Sequence, residues 1–396
     1  EYQVGLFNDQ LVRDLVVGNR GDVRLAPAGP STEVDKVFVV GNDARVTDAA
    51  FRLERNGGTS DVNLIVGDTL FVDGHLFASD SARVTAENVK IGTEGLYRGG
   101  VIVSGTDGAG NPSELNANEL TVGSMGYGFM TAKSSAIVNT ARSELAPTAG
   151  SEAAVSVRHS ATWNAGHLRI GDLGEGRLSI QSGGWVSGRN TTLGKAGEGS
   201  IHLTGVDSVG RRATFVNTRT MTVGIDGSAD LKVFGGAHAS TSETVIATSS
   251  GSDGHVMVTN FDPSEPTESS WFNSANVYVG GDDEAAGGNG QLDIHARGTV
   301  DVAGTIQVWS TGVVDLYRGT LKANTIDHRD GGVFDFRAGT LQVDDFYGNL
   351  ANLGGTLAPG PGAGDSTVAG NYTQSTEAAL GIEIGGTSAG GSHDLM

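Results

Sequence analysis

The sequence predicts an all-β fold: a parallel β-helix in which the chain winds through successive coils of about 23 residues. Three observations predict it. A short apolar signature ending in Gly recurs along the chain, a second alternating strand follows each copy, and Gly is 62 of 396 residues, roughly twice the usual ~7%.

The signature reads apolar, any residue, apolar, Gly. It occurs as Leu15-Val16-Val17-Gly18, Val39-Val40-Gly41, Leu64-Ile65-Val66-Gly67, Val89-Lys90-Ile91-Gly92, Leu120-Thr121-Val122-Gly123 and Leu168-Arg169-Ile170-Gly171. Later copies are Thr192-Leu193-Gly194, Met221-Thr222-Val223-Gly224 and Val277-Tyr278-Val279-Gly280. Successive glycines differ by 23, 26, 25, 31, 48, 23, 30 and 56 positions. The two long gaps each equal about two coils. Ile246-Ala247 fills the second with Ala in place of Gly, and the first is expected to hold a weaker copy near residues 155–157.

The second strand follows a Gly-rich turn. Examples are Gly176-Arg177-Leu178-Ser179-Ile180, Gly199-Ser200-Ile201-His202-Leu203 and Gly290-Gln291-Leu292-Asp293-Ile294. Each alternates apolar and polar residues, the period of a strand with one buried face. A third short strand is expected at Gly184-Trp185-Val186, Gly298-Thr299-Val300-Asp301-Val302 and Gly339-Thr340-Leu341-Gln342-Val343. Three strands and three turns return the chain to its start, so inward side chains of successive coils stack into a narrow core. Backbone N–H and C=O groups then pair with the coils on either side, about 4.8 Å apart. Roughly fourteen coils fit between Gly18 and residue 350, a rod on the order of 65 Å long. The stalk is assigned to residues 1–350, and residues 351–396 to C-terminal coils that continue it and are truncated. No segment carries a capped 3.6-residue apolar period, so little helix is expected.

Gaps longer than 23 residues mark insertions. Residues 262–273 and 281–288 are polar and turn-rich, and are expected as surface loops on one face, where partners of solenoids bind. Pro263 and Pro266 argue against a strand in the first. The candidate partner-binding residues are therefore Asp262, Glu265, Trp271, Asp282, Asp283 and Glu284.

Composition excludes several functions. Lys and Arg number 26 and Asp and Glu 46, a formal net charge of −20, which disfavours nucleic acid and anionic membrane surfaces. There is no Cys, which removes disulfides, thiolate nucleophiles and thiolate metal ligands. No run of eighteen apolar residues is present to cross a bilayer as a helix.

The unit Leu168-Arg169-Ile170-Gly171, Gly174-Glu175-Gly176-Arg177-Leu178-Ser179-Ile180, Gly183-Gly184-Trp185-Val186 resembles the repeat of bacterial autotransporter-type passenger domains. So does the stretch Gly355-Thr356-Leu357-Ala358-Pro359-Gly360, Gly370-Asn371-Tyr372-Thr373-Gln374 and Leu380-Gly381-Ile382-Glu383-Ile384-Gly385-Gly386, which is similar to the late passenger coils. Together these motifs cover most of residues 15–386. The resemblance implies a right-handed parallel β-helix, exported and displayed at the bacterial cell surface. The family's pattern would run on past Asp394-Leu395-Met396 into a further strand and a membrane-inserted barrel, so the sequence is read either as a fragment or as a related surface protein without that barrel.

No catalytic constellation assembles in the sequence. Gly386-Thr387-Ser388-Ala389-Gly390 matches a nucleophile-elbow pattern, but its flanks lack the strand and helix that the elbow needs. Asp282-Asp283-Glu284 and Asp344-Asp345 are paired acids of the kind used by β-helix hydrolases and lyases. Such an enzyme requires them to cluster with Arg297, Arg318 or Arg337. Gly287-Gly288-Asn289-Gly290-Gln291-Leu292-Asp293-Ile294 resembles a Ca²⁺-binding nonapeptide with its Asp one place late. No cofactor is expected beyond a weak surface Ca²⁺ with unassigned ligands. Trp163, Trp185, Trp271 and Trp309 are read as separate core or edge aromatics rather than one glycan-stacking strip.

The expectation is a non-enzymatic, extracellular structural or adhesive protein. Its partners would be copies of itself, in filaments or a surface layer, or surface glycans and proteins. A polysaccharide lyase or hydrolase and a carbohydrate-binding module are the alternatives.

Overall fold

The computed structural model describes residues 2–6, 10–13, 15–17, 22–27, 36–54, 62–95, 98–260, 270–360 and 365–382. All the regular elements among them are strands, and every strand pair with a described register is parallel. The chain is a parallel β-helix. It divides into two compact units, Glu1–Arg189 with Asp207–Thr214, and Asn190–Val206 with Phe215–Met396.

In the first unit, strands Arg98–Ser104, Tyr127–Lys133, Glu152–Arg158 and Glu175–Gln181 form one stack. Their registers align Val101 with Met130, Met130 with Val155 and Val155 with Leu178. All four side chains are buried. This column is the narrow core that the alternation predicts: every second residue points inward and meets its counterpart one coil away.

The other stack contains Glu114–Val122, Ile137–Leu145 and Thr162–Ile170. Each of these strands is bent. In Thr162–Ile170 the residues turned inward are Trp163 and Ala165, then Leu168 and Ile170, with Gly166 and His167 both facing out between them. Two successive outward residues rotate the strand through a corner. Gly166 makes the corner with φ of +59°, and a Cβ there would lie 2.0 Å from the Ala141 carbonyl oxygen, so only Gly fits. The expected third strand and the following signature are thus one continuous bent strand. These coils have two strands rather than three short ones, because the corner keeps its ladder pairing on both sides.

The same register corrects the position of the hidden signature. Leu145 aligns with Val122 on one side and Ile170 on the other, so Leu145-Ala146 is the missing copy. Ala146 adopts φ of +54° and its N–H donates to Val122 O at 2.9 Å, as Gly123 N–H does to Ile91 O at 2.8 Å. Residues 155–157 belong to the other stack. The substitution hid the copy because Ala stands where the pattern asks for Gly. Ala247, at φ of +62°, fills the same role in the second unit, as expected.

Outward positions of the bent strands carry an amide ladder. Asn139 Nδ2 donates to Asn116 Oδ1 at 2.8 Å, Asn164 Nδ2 to Asn139 Oδ1 at 2.7 Å, and Ser187 Oγ to Asn164 Oδ1 at 3.0 Å. Two insertions share one architecture. Asp107 Oδ1 accepts from the N–H of Ala109 and Asn111, and Asp207 Oδ1 from the N–H of Val209 and Arg211. Desolvation would raise the Asp207 carboxyl, but these backbone bonds, Ser160 and the Arg211 side chain outweigh it and hold it down to about 2.

In the second unit, Leu231, Val256, Leu292 and Val314 form the equivalent buried column. The expected loop at 262–273 ends earlier than predicted. Ser270–Ser274 is a strand, with Trp271 aligned to His238 and Thr299. Phe272 supplies a fully buried ring, and that burial drives the segment into the sheet. Strands continue through Thr356–Pro359, Thr367–Ala369, Tyr372–Gln374 and Ala379–Leu380.

Candidate functional site

Five adjacent strands of the second unit build a charged surface: Ser228–Phe234, Asp253–Val258, Asn289–His295, Gly312–Tyr317 and Val333–Phe336. Their inward residues are apolar, so their outward residues fall into columns. One column runs Asp230, His255, Gln291, Val313. The next runs Lys232, Met257, Asp293, Asp315, Asp335.

Three carboxylates stacked on successive coils would repel, since like charges directly opposite on paired strands destabilise them. Cations from neighbouring columns interleave instead. His255 bridges the coils on either side of its own: Nδ1 lies 3.0 Å from Asp230 Oδ1 and Nε2 lies 3.0 Å from Asp293 Oδ2. His295 Nε2 is 3.1 Å from Asp315 Oδ2. Arg337 binds both oxygens of Asp315, and its Nε lies 3.1 Å from Asp335 Oδ2. Gln291 Nε2 donates to Asp293 Oδ1 at 2.9 Å. Asp293 and Asp315 are only 5% and 9% exposed, so each needs these partners.

The electrostatics follow from the contacts. Hydrogen bonds to Asp230 and then Asp293 raise the His255 imidazole to about 9 against the opposing pull of desolvation, so it is a cation at neutral pH. The His255 hydrogen bond lowers Asp230. Desolvation pushes Asp293 up, but bonds from His255 and Gln291 outweigh it and its carboxyl is lowered.

Asp293, His295 and Asp315 bring potential ligand atoms within 4.8 Å of one another. The set of two carboxylates and an imidazole is unlike the six to eight oxygens that Ca²⁺ takes. Arg337 already holds Asp315 and His255 already holds Asp293, so the charge a metal would bring is supplied by side chains.

Beside this ladder lies a groove of about 310 Å³. Ser228, Asp230, Asp253, His255, Asn289, Gln291 and Thr311 supply its polar lining. Asn289 Nδ2 donates to Asp253 Oδ1 at 2.9 Å, closing one wall. The groove abuts the loop at 281–288. There Asp282 Oδ1 accepts from the N–H of Glu284 and Ala285, each at 3.0 Å, and Trp309 Nε1 donates to Asp282 O at 2.7 Å. Thr311 Oγ1 donates to Gly280 O at 2.8 Å and ties the loop base to the groove wall. Asp283 and Glu284 are exposed at the tip.

Of the residues singled out from sequence, Asp282, Asp283 and Glu284 stand together beside the groove, and Trp271 is on a strand rather than a loop. Asp262, Glu265 and the Ser388 segment lie outside the described residues. Trp163 is core and Trp185 is 44% exposed. Among the described residues no hydrogen bond or ion pair joins Asp282, Asp283 or Asp344 to Arg297, Arg318 or Arg337. Arg337 takes Asp315 and Asp335 instead. Sequence reading missed the ladder. Its signal was present in the second strands: Leu292-Asp293-Ile294, Val314-Asp315-Leu316 and Phe334-Asp335-Phe336 repeat one acidic position between two apolar ones.

Fold and site together define a parallel β-helix with a charge-laddered outer face and a polar groove. No family model matches the chain, and no curated protein matches it. Among solved structures it is similar to the crystal structure of a TibC-catalyzed hyper-glycosylated TibA55-350 fragment, at 14% identity over 94% of this chain and 100% of that one, with a TM-score of 0.47. A likeness at that level carries no argument about activity.

Proposed function

We propose that the chain is a non-enzymatic extracellular or cell-surface protein, a β-helical stalk that serves a structural and adhesive role. One observation carries the reading. The reactive side chains of the charged face beside the groove bind one another from coil to coil: His255 joins Asp230 to Asp293, and Arg337 joins Asp315 to Asp335. Such pairing stiffens a stack and, among the described residues of this face, leaves no acid and base poised on opposite sides of a substrate bond. The regular coil and the polar loops at its side suit display of contact surfaces. Self-association into filaments or a surface layer belongs to the same reading.

The test is incubation of the purified chain with neutral and uronic-acid polysaccharides, followed by assay for new reducing ends and unsaturated products. None is expected, and chain cleavage dependent on His255 or Arg337 would overturn the reading. Electron microscopy with and without Ca²⁺ addresses assembly: filaments support a scaffold, and isolated particles under all conditions shift the role to adhesion.

A further inference from the structure

We propose that the groove between Asp230, Asp253, Asn289 and Gln291 is a binding site for a neutral saccharide, one hexopyranose unit of a surface or matrix glycan. The proposal deepens the adhesive reading by naming the partner's chemistry, and it rests on that reading for its setting outside the cell.

The hydrogen-bond inventory of the groove decides the ligand class. His255 uses both ring nitrogens on Asp230 and Asp293, and Gln291 uses Nε2 on Asp293. Asn289 turns Nδ2 to Asp253 Oδ1. The groove therefore offers the second oxygens of Asp230 and Asp253 as acceptors, and at Asn289, Gln291 and Ser228 it offers both acceptors and donors, since each amide keeps a second N–H and the hydroxyl does both. A matching ligand must both donate and accept, as a hydroxyl does. Neighbouring coils offer these groups at steps of about 4.8 Å, the scale over which a sugar ring spreads its hydroxyls.

Charge narrows the class. No Lys or Arg lines the groove, and its free oxygens are carboxylate, amide and hydroxyl, so phosphate, sulfate and uronate ligands are repelled. A polyamine is disfavoured as well, because His255 and Lys232, whose Nζ lies 3.5 Å from Asp230 Oδ1, already offset Asp230. An uncharged polyol remains. Ala229, Val313 and the glycines at 254 and 290 give the floor apolar surface for the C–H face of a sugar. The groove volume lies at the lower end of ligand-site sizes, which fits one ring of a longer chain. The adjoining 281–288 loop stands where a next unit would pass.

The test is saturation-transfer NMR on the intact chain with neutral gluco-, manno- and galacto-oligosaccharides, an oligoglucuronide and spermidine as probes. Transfer to at least one neutral saccharide is expected. It should weaken about tenfold in Asp253→Ala, the loss of one charged hydrogen bond, and in Asn289→Ala. Thermal melting of each variant reports folding, and Glu119→Ala, at an exposed position of strand Glu114–Val122, should bind as the parent does. No transfer to any neutral saccharide overturns the proposal, as does preference for the oligoglucuronide or spermidine. Binding unchanged by both Asp253→Ala and Asn289→Ala also overturns it. Recovery of shortened saccharide would overturn the non-enzymatic reading and leave the saccharide assignment standing.

Discussion

His255 Nε2 lies 3.0 Å from Oδ2 of Asp293 on the next coil, while Nδ1 of the same ring holds Asp230 on the coil before. One imidazole therefore couples three coils, and it does so only while protonated, since each nitrogen must donate to a carboxylate.

The pH dependence of that coupling has a definite sign. The folded imidazole titrates near 9, above its ordinary value of 6.5. Its stabilisation is complete below pH about 6.5 and is lost as pH rises through about 9. Asp230 and Asp293 are lowered, so their contribution is complete above the ordinary carboxylate range and fades in acid. His255→Gln should melt below the parent at about pH 6, by on the order of 1–2 kcal/mol after solvent screening, and the gap should narrow at about pH 10.

Removing Arg337 should expose the repulsion it masks. Asp315 and Asp335 occupy the same position on adjacent coils. Arg337→Ala is expected to cost about 1–3 kcal/mol at neutral pH, the scale of a hydrogen bond to a charged group. Melting curves at neutral and acidic pH check the origin: the deficit should shrink as the carboxylates protonate.

Trp163 is fully buried and its Nε1 donates to Thr140 Oγ1 at 3.1 Å. Trp163→Ala should cost about 3–5 kcal/mol. Because each coil contacts mainly its neighbours, the loss should be local. Hydrogen exchange should accelerate in strands Ile137–Leu145 and Thr162–Ile170 and leave the column at Leu292 unchanged.

Gly123 adopts φ of +68°, and a Cβ there would lie 2.2 Å from the Glu152 carbonyl oxygen. Gly123→Ala should destabilise its coil by about 1–3 kcal/mol, read by limited proteolysis. Ala146 and Ala247 tolerate a similar φ, so the close approach at Gly123, rather than the dihedral alone, sets the cost.

Much of the coil was legible. Alternation at Leu178 and Ile180, and the Gly after Ile170, predicted inward columns and turns because a buried strand face has a period of two wherever it occurs. The corner at Gly166 was not legible as a bend, since a turn between two strands and a bend within one leave the same mark in sequence. Ser270–Ser274 was hidden by the prolines upstream. The ladder from His255 to Arg337 was obscured because it depends on alignment across coils of unequal length, where Asp293 and Asp315 are 22 residues apart but His255 and Asp293 are 38.

The amides at Asn116, Asn139 and Asn164 repeat one bond from coil to coil. A repeating pattern is unchanged by translation through its own period, so the ladder would be satisfied equally well by a chain threaded one coil out of step. The features that break this symmetry are those absent from the adjacent coils: the indole of Trp163 where the preceding coil carries Val138, and the Asp107 and Asp207 loops. In the first unit, the regular positions give persistence and the irregular ones carry the address of each coil, so a threading error is penalised at its exceptions rather than along its pattern.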